Sequence, residues 1–62
     1  MKVKIKECFG ELPYWFTIDK IYEARSRSDD TFVFEDDEGD LWIGYFKSCS
    51  LLNGGSWEVV NE

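Results

Sequence analysis

The side chains able to do chemistry in this chain are carboxylates, hydroxyls and two thiols; histidine is absent. The commonest general base, metal ligand and triad member is therefore missing, and a Ser or Cys nucleophile has no visible partner to take its proton. Asp36, Asp37, Glu38 and Asp40 offer hard oxygen ligands of the kind Ca²⁺ prefers. Their spacing does not repeat the alternating acids, central glycine and closing glutamate of an EF-hand loop. On an exposed turn these acids are expected to keep ordinary pKa values, which suits neither half of an acid–base pair. Gly54-Gly55 precedes an apolar strand rather than a helix N-terminus, so it is not a phosphate-binding loop. The expectation is no catalysis, no cofactor and no dedicated metal.

Binding is a better use of these residues. Thirteen acids against seven bases give a net charge of −6, which repels nucleic acids and anionic membranes. Between Ser28 and Phe46 lie Asp29, Asp30, Glu35, Asp36, Asp37, Glu38 and Asp40 with no base among them. The stretch reads either as a solvated edge or as an acidic face for a basic partner. Lys2, Lys4 and Lys6 make the one basic strip; on an edge strand such a strip discourages aggregation more often than it binds phosphate. Cys8 and Cys49 make no disulfide framework and read as small buried hydrophobes. The N-terminus alternates instead of forming an apolar run, so the expected setting is cytoplasmic.

These groups have to be positioned by a single domain over residues 1–62. A chain this short buries only roughly 60% of its unfolded surface, and the compensation is aromatic: three Trp, three Tyr and five Phe. Strict alternation over Met1–Glu7 places Val3 and Ile5 on one face of a strand. Phe9–Pro13 is a loop, Tyr14–Thr17 a dense aromatic re-entry, and Asp19-Lys20 a turn. Further strands are expected at Ile21–Arg25, Thr31–Glu35, Asp40–Tyr45 and Trp57–Asn61. Residues 31–45 form a hairpin turned by Asp36-Asp37-Glu38-Gly39. Phe46–Leu52 lacks a period and has room for a short 3₁₀ turn, and Asn53–Ser56 is a turn. Phe32 with Phe34, and Trp57 with Val59, are the expected core faces. Five short strands without helical periodicity predict an all-β fold, a small closed barrel that hides its edges.

Phe16-Thr17-Ile18-Asp19-Lys20-Ile21-Tyr22-Glu23-Ala24 resembles the F-T-x-G-K-x-Y-E-V opening of short phage and prophage SH3-like proteins. Phe32–Asp40 is similar to their V-x-D-D-x-G-D hairpin, and Trp57-Glu58-Val59-Val60 to their closing F-E-x-V strand. The resemblance covers residues 1–61 and implies a five-stranded SH3-like barrel of phage origin. It departs at Asp19, where those proteins often carry Gly, and at the longer Ser50–Gly55 connection. Shared fold does not fix a role.

The interface is therefore sought among aromatics too numerous for so small a core, namely Tyr14, Trp15, Trp42 and Tyr45, beside Glu35, Asp36, Asp37, Glu38 and Asp40. The expected function is that of a small phage accessory protein that binds, and inhibits, a basic host protein in the host cytoplasm. Such a target is a defence nuclease, a restriction enzyme or a transcription factor. The alternatives are a structural, homo-oligomeric or virion-associated module, and a weak nucleic-acid-binding barrel working through the lysine strip. Both a monomer and a small homo-oligomer fit the chain.

Overall fold

The alternation of Val3 and Ile5 becomes strand β1 (Lys2–Glu7), with both side chains buried. The computed structural model describes residues 1–61; Glu62, the last residue of the expected domain, lies outside them. Strand β2 (Tyr22–Ser26) buries Tyr22 and Ala24 and turns Glu23 and Arg25 outward. Strands β3 (Thr31–Glu35) and β4 (Leu41–Tyr45) form the hairpin, and β5 (Ser56–Val60) closes the element order. A 3₁₀ turn at Ser50–Leu52 drops Leu52 into the core. Among the described residues there is no α-helix, hence none long and apolar enough to cross a membrane.

All pairings are antiparallel, in the order β4-β3-β2-β1-β5. The architecture is thus an all-β, five-stranded antiparallel sheet, curled but not closed. Where the ends of β4 and β5 approach, Trp57 N–H donates to the C=O of Phe46, just past β4, at 3.2 Å. Closure is prevented locally. After Tyr45 the chain leaves the extended course, with Ser48 at φ 51°, before the 3₁₀ turn and the Cys49–Gly55 bridge. β4 and β5 therefore remain edges. β1 does not: it lies between β2 and β5, so the lysine strip is on an interior strand rather than an edge. Lys4 pairs with Glu58 at 3.5 Å and Lys2 with Glu23 at 4.0 Å. Period-2 alternation identifies a strand's faces and is blind to its neighbours.

The core is Val3, Ile5, Phe16, Tyr22, Ala24, Phe32, Phe34, Cys49, Leu52 and Trp57. Trp57 is its hub, with ring centroids 4.8 Å from Phe34, 5.6 Å from Phe32, 5.9 Å from Tyr22 and 6.5 Å from Phe16. Cys49 is fully buried and accepts the Trp57 indole N–H at 3.4 Å. Cys8 is only half-buried, its thiol 3.6 Å from Gly10 C=O. Val59 departs from the expected core face. Trp57 sits under the curl while Val59, farther along β5, emerges into solvent. Gly44 faces inward against Phe32, and a Cβ built there would stand 2.5 Å from Phe32 Cζ.

Candidate functional site

The β3–β4 turn is built around an aspartate, not a glycine alone. Asp36 is 7% exposed and its Oδ1 accepts the Glu38 and Asp40 backbone N–H groups at 2.8 and 2.9 Å. Its Oδ2 accepts the Trp42 indole N–H at 2.7 Å. An Asx-type side chain is suited to this task because its short carboxylate reaches the backbone just ahead of it. Gly39, at φ 85°, completes the turn. Burial works to raise the Asp36 pKa, but the three donors outweigh it and hold the carboxyl below its ordinary value. Asp36 is thus neither exposed nor ordinary, contrary to what an acidic turn suggests.

Asp37 points the other way, into the base of the loop between β1 and β2. It accepts Lys20 Nζ at 2.5 Å and Thr17 Oγ1 at 2.5 Å, and Tyr22 OH at 2.9 Å. Its own N–H donates to Trp15 C=O at 3.0 Å. The Lys20 contact first, then Thr17, lowers the Asp37 pKa, against some desolvation. The same aspartate raises the Lys20 pKa. Tyr22 is raised chiefly by its burial. Asp19, standing where glycine is common in the proteins it resembles, takes φ 68° all the same, and Lys20 N–H closes the turn on Thr17 C=O at 3.4 Å. The turn keeps a left-handed residue without the glycine.

Two of the expected partner-binding acids are consequently structural. Glu35, Glu38 and Asp40 remain as exposed carboxylates at this end of the sheet. Asp29 and Asp30 belong to the opposite end of β3, about 17 Å away by the rise of a five-residue strand. The acidic stretch is therefore split between two ends of the molecule and is not one face.

The aromatics divide similarly. Tyr14 is 77% exposed and meets Trp15 edge-on at 5.0 Å. A hydrogen bond to Glu38, followed by the charge of that carboxylate, raises the Tyr14 phenol pKa. Trp15 is half-buried against Phe16, with its indole N–H enclosed and unpartnered among the described residues. Trp42 is half-buried too, locked by Asp36 and stacked edge-on with Phe16 at 5.7 Å. Tyr45 is not part of this group, since it lies opposite Thr31 at the far end of β4. What gathers around the hairpin tip is Tyr14, Trp15 and Trp42 with Glu38 and Asp40 at the rim. Tyr14 alone among these rings offers an open face.

Chemically this arrangement can hold a cation between an open aromatic face and carboxylates. Among the described residues no three His, Cys, Asp or Glu side chains are placed to hold a metal ion. Sequence reasoning missed Thr17, Lys20 and Tyr22 as the residues that bind the Asp37 carboxylate; no local pattern signals a contact across that many residues. No family model matches the chain, and no curated protein or solved structure matches it either.

Proposed function

We propose that the protein is a non-enzymatic binding module that receives a basic segment of a partner protein on the face formed by Tyr14, Glu38 and Asp40. The observation that carries this is Tyr14 itself, a largely exposed phenol packed edge-on against Trp15 and near enough to the Glu38 carboxylate for that group to raise its pKa. An Arg or Lys side chain lying on that ring meets carboxylates already in position, so little ordering is needed on this side. The lack of histidine supports a role without catalysis.

The curled sheet, the long β1–β2 loop and the 3₁₀ turn before β5 support reading the architecture as an SH3-like barrel. The similarity of Phe16–Ala24 and Phe32–Asp40 to short phage SH3-like proteins supports a phage accessory role. On this reading the partner is a host protein with a basic surface, and occupying that surface inhibits it. Lysine pairing with Glu23 and Glu58 weighs against the nucleic-acid alternative.

The test is capture of a basic protein from bacterial lysate by the tagged protein at low salt. Tyr14→Ala and the double change Glu38→Gln/Asp40→Asn should lose it. Glu11→Gln/Asp29→Asn alters net charge equally but elsewhere, and should retain it. Equal retention by both double variants would mean that overall charge, not this face, does the binding.

A further inference from the structure

We propose that the free edge of β4 is a self-association surface, on which a second copy of this chain pairs β4 against β4, antiparallel, about a two-fold axis at Ile43. The proposal does not depend on the partner-binding reading above. It follows from where the backbone of this strand points.

Asp36 N–H bonds to Asp40 C=O and Phe46 N–H bonds to Asp30 C=O, at 2.9 and 3.0 Å, one at each end of the β3–β4 ladder. Hydrogen-bonded pairs alternate along an antiparallel ladder, so Phe34–Trp42 and Phe32–Gly44 are the bonded pairs between these ends. The N–H and C=O groups of Leu41, Ile43 and Tyr45 therefore point away from β3, and no backbone group among the described residues takes them up. Their side chains are also the outward ones, 68%, 42% and 45% exposed. One short strand thus presents an unpaired backbone row and an apolar side-chain row together.

The usual protections of an edge are missing here. Leu41–Tyr45 contains no charge, no proline and no break in register with β3. The other edge is treated differently. β5 carries Glu58 in an ion pair, its ladder to β1 is shifted between Ile5 and Glu7, and Trp57 N–H is already engaged by Phe46. Of the two edges, β4 is the one that carries none of these features among the described residues.

The row is self-complementary. With Ile43 opposite its own symmetry mate, Leu41 faces Tyr45 of the second copy and Tyr45 faces Leu41. Each of these pairs can exchange both backbone hydrogen bonds, and aromatic–aliphatic cross-strand pairs are favourable. The charges agree with this direction. Exposed Asp40 precedes β4 and exposed Lys47 follows it, so antiparallel pairing brings each Asp40 to the Lys47 end of the other copy. A parallel arrangement would place like charges together.

Sedimentation equilibrium from micromolar to millimolar protein reads the dimer directly. Ile43→Lys puts a charge at the axis without touching the bonds to β3, and should weaken association by about tenfold or more with the circular dichroism spectrum retained. Asp40→Lys and Lys47→Asp should each weaken it alone and restore it when mixed, because only the mixed pair rematches both ends. Hydrogen exchange should show Leu41, Ile43 and Tyr45 amides protected at high concentration and exposed on dilution. A monomer throughout this range overturns the proposal, as does a dimer that survives Ile43→Lys. Amides of a monomer protected only by an added extended peptide would also overturn it, since the edge would then serve a partner's strand.

Discussion

Gly44→Ala is the most informative single change in the core. The added Cβ would lie 2.5, 2.7 and 3.1 Å from Phe32 Cζ, Cε2 and Cε1, all well inside normal contact. Phe32 is fully buried, and its ring is confined by Phe46 at 4.8 Å and by Phe34 and Trp57 at 5.6 Å. It has no room to swing away. Overpacking of this kind costs about 1–3 kcal/mol, and roughly 0.5–1 kcal/mol is returned because alanine loses less backbone freedom on folding than glycine. A net loss of about 1–2 kcal/mol is a large share of the roughly 3–5 kcal/mol a core this size supplies. With a urea slope near 1 kcal/mol/M for a small domain, the midpoint should fall by about 1–2 M, followed by the fluorescence of the three tryptophans. Phe32→Leu removes the ring tip that clashes and, alone, should cost about 1–2 kcal/mol by leaving space. The pair should cost little more than Phe32→Leu by itself, falling at least about 1 kcal/mol short of the sum. Additivity to within about 0.5 kcal/mol would show that Gly44 is not required by the Phe32 ring.

Other expectations follow from the same contacts. Phe34→Ala should cost about 3–5 kcal/mol and leave the chain largely unfolded by circular dichroism. Asp19→Gly should stabilise by about 0.5–1 kcal/mol, because glycine takes the observed positive φ without a side-chain penalty; an unchanged urea midpoint would count against strain there. Asp36 and Asp37 have folded pKa values below the ordinary aspartate value, so their contribution is present above about pH 4 and fades as pH falls through the lower folded values. Asp37→Asn should therefore destabilise at pH 7 and flatten the acid limb of a stability–pH curve. Tyr22 is shifted the other way, so its contribution holds below its ordinary value and is lost as pH rises through the folded one. Tyr22→Phe should remove that alkaline loss.

The strands were legible because their signals are local. Val3 and Ile5 alternate with lysines, and Tyr22 and Ala24 with Glu23 and Arg25, so each buried face is visible in a few residues. The limits moved slightly where side chains intervene. Asp40, expected to begin β4, precedes it, and its N–H goes to the Asp36 carboxylate instead of the ladder. The candidate site was less legible. An acidic run reads as solvated until its partners are known, and the partners of Asp37 are Thr17, Lys20 and Tyr22, 20, 17 and 15 residues earlier. Which aromatic stays open was equally hidden. Tyr14 and Trp15 are neighbours of similar type, and only the docking of Trp15 on Phe16 distinguishes them. The edge status of β4 depends on strand order, which alternation does not encode.

The clasp that Asp37 makes bears on the order in which the sheet is expected to assemble. The β3–β4 hairpin needs only its own residues and can form within about 1–10 μs, which leaves Asp37 displayed at its tip. Docking the Thr17–Tyr22 turn onto that tip closes a loop of modest length, whereas pairing Lys2 with Val60 must join distant parts of the chain and carries a larger closure entropy. The clasp is therefore expected to form early and the β1–β5 ladder late. Weakening Asp37 should slow refolding, while weakening Lys4–Glu58 should mainly quicken unfolding. A carboxylate that reads as surface decoration would then act as the gate through which the rest of the sheet assembles.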